Sequence, residues 1–231
     1  MQAYAIVIKD HEVSETGYNN LKVSSEKFKN SFKIRKFDAV LPKMARTIMS
    51  GNGLKWKYPW EGKETDLKTG LIKSAYQTAN KNTRIACALS HWLLWHKCLT
   101  EDTPLLILEH DALFIEKLEH SVILKIKFDI IGINSPAAAT RKAHEFHDKV
   151  QASRSLIQPV PTVDEFNVPQ GLAGNSAYII KPAGAKSILD AAREHGLWPN
   201  DALMCKQIIS NLGVTKTYYT RVQGLPSTTV S

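Results

Sequence analysis

The stretch LILEHDALF, Leu106 to Phe114, carries an apolar run straight into Glu109, His110 and Asp111 before turning apolar again. Two carboxylates one residue apart are hard oxygen ligands suited to Mg²⁺ or Mn²⁺, and a cation held this way keeps positions open for the phosphate oxygens of a substrate. The triplet reads as a metal anchor for a diphosphate; the competing reading is a solvated acidic turn. Asp201 is a further candidate. It stands in Trp198-Pro199-Asn200-Asp201 at the start of an expected helix, where an aspartate can cap the helix. His144-Glu145-Phe146-His147 lacks the spacing that puts two imidazoles on one helical face and reads as a polar loop. Gly171-Leu172-Ala173-Gly174 precedes no strand-to-helix junction, so it is not a phosphate-cradling glycine loop.

Three further groups surround these acids in the chain. Ser90 and His91 lie in a strongly apolar segment, where a polar pair must find hydrogen-bond partners, either as a satisfied core pair or as groups that orient Asp111. Arg84, just ahead of them, either meets a phosphate or is a surface cation. Gly174, Asn175 and Ser176 either offer backbone groups to a donor or form a tight turn.

The elements that must position these residues follow from the apolar periodicity. Ala3 to Ile8 reads as a buried strand, Ser14 to Phe28 as a helix and Lys33 to Val40 as a second strand parallel to the first. Ser50 to Asp66, punctuated by Gly51, Gly53, Pro59 and Gly62, reads as a long loop in which Trp56, Tyr58 and Trp60 alternate with lysines. After Asn82 and Thr83, Ile85, Leu89, Trp92, His96 and Leu99 recur at helical spacing on a helix buried nearly all round. Leu105 to Leu108, Phe128 to Ile133 and Ser176 to Ile180 read as strands, and Ala183 to Ala192 as a helix packed on them. Asn134 to Gly174 is expected to be an irregular excursion and the last dozen residues a polar tail.

The order predicts a single α/β domain over residues 1–231, with a mostly parallel central sheet flanked by helices. Ligands bind beyond the carboxyl ends of strands in such sheets, which is where Glu109, His110 and Asp111 fall.

With 231 residues and 43% hydrophobic composition, the chain can build an ordinary globular core. The apolar run in its first eight residues is too short for a signal-peptide core, and no stretch approaches the ~20 apolar residues of a membrane helix, so a cytoplasmic protein is expected. Cys87, Cys98 and Cys205 lack metal-finger spacing; on one helix, Cys87 and Cys98 would lie roughly 16 Å apart, beyond disulfide reach. The net charge of +8 is uneven. Residues 1–81 hold 15 basic against 8 acidic residues, whereas residues 82–231 hold 15 against 14. The basic first third is either a solvated surface or a face for an acidic partner.

Four blocks, RIACALSHWLLWHKCL from Arg84, PLLILEHDALF from Pro104, GNSAYIIKPAGAKSIL from Gly174 and WPNDALM from Trp198, together resemble glycosyltransferase family 25. That family includes lipooligosaccharide sugar transferases and collagen galactosyltransferases. The opening, YAIVIKDHEVSETGYNNLKVSSEKF followed by KFDAV, is similar to the start of small phage-encoded members. The resemblance implies a GT-A-like fold and an inverting transfer from a nucleotide-sugar donor, a UDP-sugar, assisted by Mn²⁺ or Mg²⁺. Carried over by position, Glu109 and Asp111 correspond to the outer acids of the metal motif, while His110 replaces its middle aspartate. Asp201 corresponds to the aspartate that would act as base, within the motif-bearing span 82–213 that precedes the tail 214–231.

The resemblance leaves the acceptor open. The basic first third, with Trp56, Tyr58 and Trp60 interleaved, reads as a face that tracks a polyanionic acceptor and stacks an extruded base, as modification of a hydroxymethylated base in double-stranded phage DNA would require. In that case the enzyme would work in the cytoplasm of the bacterial host. The competing reading is a sugar acceptor on the aromatic rings, with lysines meeting lipopolysaccharide phosphates or anionic headgroups at a membrane surface. A non-catalytic nucleic-acid-binding module would explain the charge but not the acids. Metal-dependent phosphoryl hydrolysis would want more carboxylates than the sequence offers near Glu109.

Overall fold

A computed structural model describes residues 1–139, 142–226 and 228, so part of the expected tail, residues 227 and 229–231, lies outside the described residues. The chain opens with β1 (Gln2–Val7), α1 (Glu12–Lys27) and β2 (Ile34–Asp38), the strand-helix-strand start that its periodicity predicts. α2 (Pro42–Gly51) follows, its proline at the first turn supplying a φ already suited to a helix. The expected loop from Ser50 therefore begins inside the last turn of α2, and it ends in a short hairpin of β3 (Lys63–Thr65) and β4 (Ile72–Ser74). α3 (Lys81–Thr100) is capped by Asn80, whose side chain accepts from the Asn82 N–H, and is buried on most sides as expected. β5 (Leu105–Glu109), β6 (Ala112–Phe114), α4 (His120–Ile123) and β7 (Ile130–Gly132) come next.

The excursion after β7 is more ordered than its polarity suggests. It holds α5 (Ala143–Ala152) and β8 (Ile157–Pro159). His144 to His147 thus form part of a helix rather than a loop, because Phe146 and Val150, four residues apart, give it an apolar face that is buried. β9 (Ala177–Ile180), α6 (Pro182–His195), α7 (Asn200–Leu203), β10 (Leu212–Thr215) and β11 (Thr220–Val222) complete the chain. β11 lies within the expected polar tail and pairs with β6, directly beyond the acidic triplet.

The main sheet has seven strands in the order β2-β1-β5-β9-β7-β10-β8. β1 is parallel to β2 and to β5, and β7 is parallel to β10. β9, expected among the parallel strands, runs antiparallel between β5 and β7, and β8 is antiparallel at the edge. The excursion leaves β7 at the carboxyl edge of the sheet and returns to that same edge, so the returning strand must run back down. This reversal delivers Gly174, Asn175 and Ser176 to the edge where β5 ends.

Side chains alternate across the sheet between two cores. Tyr4, Ile6, Leu105, Ile107, Tyr178 and Ile180 pack with α3 and α6 on one face. Ala3, Ala5, Val7, Leu106, Leu108 and Ile179 pack with Leu21 of α1, Phe114 and Ile123 on the other. No helix among the described residues is long and apolar enough to cross a membrane.

Candidate active site

The period of two along β5 puts Glu109 on the same face as Leu105 and Ile107, the face that α3 covers. Cys87 and His91, four residues apart on α3, meet it there: Cys87 Sγ, a His91 ring nitrogen and a Glu109 carboxylate oxygen all lie within 4.8 Å of one another. His91 is held from both sides. Its Nδ1 lies 2.9 Å from the Tyr178 hydroxyl and its Nε2 3.2 Å from Glu109 Oε1. Trp95 Nε1 donates to the same Tyr178 oxygen at 2.8 Å. Indole only donates, so with a neutral imidazole the consistent arrangement has Tyr178 donating to Nδ1 and Nε2–H donating to the carboxylate. His91 is thus a satisfied core residue that also aims Glu109. Ser90 is committed elsewhere, since its Oγ accepts from the Val40 N–H at 2.9 Å and donates to the Ala86 carbonyl at 2.8 Å, tying α3 to the end of β2.

Asp111 sits in the turn between β5 and β6. Burial first, and then the charge of Glu109, push its carboxyl up to about 7, while a hydrogen bond from the Ser176 side chain pulls the other way. Its Oδ1 is buried without a hydrogen-bond partner among the described residues. A buried carboxylate with an idle oxygen beside a second carboxylate is a donor set that a hard divalent cation fits. His110, between the two acids, lines the smaller cavity, where burial lowers its pKa, with Glu109 opposing that shift and His11 adding to it.

The turn is pinned from outside. The Gln223 N–H donates to the Asp111 carbonyl at 2.8 Å, and Gln223 Nε2 donates to the carbonyls of Gly17 at 2.9 Å and Ala112 at 3.0 Å. Helix α1 approaches so closely that a Cβ on Gly17 would come within 2.7 Å of the His110 carbonyl oxygen. Neither Gln223 nor Gly17 carries a sequence signal for this role; only the pairing of β11 with β6 brings Gln223 here.

Two cavities open at this edge of the sheet. One, of about 300 Å³, lies beyond the carboxyl ends of β1, β2 and β5, with Val40, Cys87, Ser90, His91, Glu109 and His110 among its walls. The other, of about 460 Å³, is bounded by Tyr58, Tyr76, Phe146, Gly174, Asn175 and Asp201 among others. Asp201 is in the first turn of α7, whose cap position is Pro199 and not Asp201. Tyr76 donates its hydroxyl proton to Asp201 Oδ2 at 2.9 Å. Burial raises the Asp201 pKa; the Tyr76 hydrogen bond and Arg84 oppose the rise and Glu109 adds to it, which couples the two cavities through charge. Arg84 stacks 5.1 Å from the Tyr76 ring centre, and its Nε is buried without a partner among the described residues. Asn175 is only 9% exposed, yet neither its Nδ2 nor its Oδ1 has a hydrogen-bond partner there. Gly174 takes φ +74° with the Ser135 carbonyl 2.7 Å from where a Cβ would be, so this turn needs glycine.

The aromatic trio is used differently from a free stacking platform. Trp56 and Trp60 stack on each other, centres 4.8 Å apart and planes 11° from parallel, and Trp56 Nε1 donates to the Tyr58 carbonyl. Tyr58 is buried against Tyr76 and Trp198 and presents an edge to the larger cavity. The structure therefore puts Glu109 and His91 on the wall of the smaller cavity and Asn175 and Asp201 on that of the larger, keeps Asp111, Ser176 and Arg84 behind those walls, and leaves Trp56 and Trp60 outside them.

A mixed sheet flanked by helices, with acids at the carboxyl end of a central strand and a cavity lined by one of them, is consistent with the GT-A-like class of sugar-transferring folds. The model of Glycosyltransferase family 25 (LPS biosynthesis protein) matches residues 19–204, and the chain belongs to that family. It is a glycosyltransferase. No individually curated protein matches it.

Proposed function

We propose that the protein performs a metal-dependent, inverting transfer from a nucleotide sugar, a UDP-sugar in the first instance, to a hydroxyl of a saccharide acceptor seated beside Asp201. The observation that carries this reading is the set of buried, unpartnered polar atoms at this edge of the sheet, Asp111 Oδ1 in the acidic turn and both amide atoms of Asn175 on the wall of the larger cavity. Buried polar groups are seldom left idle unless a ligand completes them. The smaller cavity, at the strand ends, suits the nucleotide, and the larger one suits the acceptor. When bound, a divalent ion held by Glu109 and Asp111, Mn²⁺ or Mg²⁺, would supply positive charge against the departing diphosphate. Asp201 accepts the acceptor proton as that oxygen bonds to the anomeric carbon and the bond to the diphosphate oxygen breaks, with configuration inverting because attack comes from the opposite side. Burial favours this, since a carboxylate with a raised pKa is the better base.

A saccharide acceptor is favoured because Trp56 and Trp60 spend their faces on each other, while Tyr58, Tyr76 and Phe146 offer ring edges and faces inside a cavity of sugar-compatible size. The second reading, a hydroxymethylated base in phage DNA, rests on the basic first third, 15 basic against 8 acidic residues in positions 1–81. Release of free nucleoside diphosphate, measured with several nucleotide sugars and Mn²⁺ in the presence of lipooligosaccharide-type acceptors or hydroxymethylcytosine duplexes, tests both. Acceptor-stimulated release with the saccharide supports the first reading. Stimulation by the duplex alone replaces it with the second, and no release with any donor removes the proposal.

A further inference from the structure

Cys87 belongs to none of the roles above, yet it stands with His91 and Glu109, which are hydrogen-bonded to each other. Cys87 and His91 share a face of α3 at the four-residue spacing that lets two ligands grip one ion, and Glu109 closes the third side from β5, with all three ligand atoms within 4.8 Å of one another. Sulfur, imidazole and carboxylate together form a different donor set from the paired carboxylates of Glu109 and Asp111. Hard Mn²⁺ and Mg²⁺ prefer oxygen, whereas thiolate and imidazole favour Zn²⁺. Three protein ligands with an open fourth side is the arrangement of reactive zinc sites, and here the smaller cavity, which all three residues line, supplies the opening.

We propose that Cys87, His91 and Glu109 form a site for Zn²⁺, and that filling it withdraws Glu109 from the Glu109–Asp111 pair and so halts sugar transfer.

Three features support it. The His91 ring is already oriented by Tyr178 at Nδ1, leaving Nε2 directed at Glu109 and the ion position, as metal-bound histidines are when a neighbour fixes their second nitrogen. Burial pushes the Cys87 thiol up, and Glu109, Asp201 and Asp111 add to that shift against the Arg84 guanidinium, so the site disfavours a bare thiolate and favours a cation beside it. Cys87 Sγ has only a weak contact, 3.9 Å to Asn200 Oδ1, so little must be broken to engage it. The thiol proton leaves to solvent as sulfur binds the ion, and the imidazole proton moves from Nε2 to Nδ1, where it is donated to the Tyr178 oxygen, with no change of oxidation state. Binding itself is independent of the proposed transfer chemistry; only the inhibitory consequence rests on that reading, through Glu109.

The test uses Co²⁺ as a coloured substitute for Zn²⁺. Titration of the intact protein should give the sulfur-to-cobalt charge-transfer absorption of a thiolate ligand at one ion per chain, and Cys87→Ser and Cys87→Ala, checked by circular dichroism for native folding, should lose it. Zn²⁺ added at fixed Mn²⁺ should slow transfer by wild type about tenfold or more and leave Cys87→Ser within about twofold, each relative to its own zinc-free rate. Absence of the absorption band, or its persistence in both folded variants, overturns the site. Equal slowing of wild type and variant overturns the shared-Glu109 switch. Failure of the transfer proposal would show instead as no turnover without zinc, with the cobalt titration unaffected.

Discussion

The backbone N–H of Gln223 donates to the carbonyl oxygen of Asp111 at 2.8 Å, joining the last strand of the chain to the turn that carries the acids. The Gln223 side chain extends the clamp to the carbonyls of Gly17 and Ala112, and Asn20 holds its Oε1 at 3.0 Å. Gln223 is thus a positioning residue: it touches neither cavity but fixes the main chain from which Asp111 projects.

Gln223→Ala keeps the backbone bond and loses the side-chain clamp. The expected result is a weaker apparent affinity for Mn²⁺, on the order of tenfold, with kcat recovered at saturating metal. Rates measured across a Mn²⁺ series check it. A loss of kcat that metal cannot restore would mean that the residue supports the fold and not the turn.

Asp111 predicts a pH dependence with a definite sign. Burial and Glu109 raise its folded pKa to about 7, above the ordinary carboxylate value of the unfolded chain. The folded state therefore holds the proton more tightly, so the group's contribution to stability is complete below the unfolded pKa and is lost as pH rises towards 7. Metal-free wild type should lose on the order of 2–4 kcal/mol relative to Asp111→Asn between pH 4 and pH 7.5, measured by denaturant unfolding at each pH. Mn²⁺ should erase the difference by stabilising the ionised wild type alone, and Asp111→Asn should transfer no sugar.

Asp201→Asn removes the proposed base while retaining size and most contacts. kcat should fall by about 10²- to 10⁴-fold with the KM for the nucleotide sugar nearly unchanged. Tyr76→Phe gives the finer test. The Tyr76 hydroxyl favours the charged form of Asp201, so its loss raises the Asp201 pKa further, and the acid limb of the kcat profile should move to higher pH. A limb that stays in place would separate Asp201 from the titration that controls the rate.

How much of this site the sequence discloses depends on the range of the interactions. Glu109 is legible because a continuous apolar run of strand length ends in an acid, and His91 because a polar residue in an apolar helix must be satisfied. The Tyr178 partner that satisfies it is not legible, since it depends on β9 running antiparallel beside β5, a direction that no local pattern encodes. β10 and β11 escape notice for the same reason: each is three or four residues long, too short for periodicity, and is a strand only because a neighbour completes its hydrogen bonds. α5 is hidden by the polarity of His144 to His147, which outweighs its two buried apolar positions. Cys87 shows no ligand signal until Glu109 is brought against α3.

Asn175 distinguishes a ligand-facing turn from a merely tight one. A turn of the second kind would use the amide to close its own backbone, but here both amide atoms are buried and idle at the wall of the larger cavity, beside Asp201. Leaving them so costs roughly 1–3 kcal/mol, which a bound hydroxyl-bearing ligand would offset. Asn175→Leu should therefore leave the metal-free protein as stable as wild type or more so, while raising the acceptor KM by about tenfold or more. Thermal melting together with acceptor saturation curves checks both halves. A destabilised variant with an unchanged KM would show the amide to be serving the fold, and the larger cavity would then lose its strongest polar contact to an acceptor.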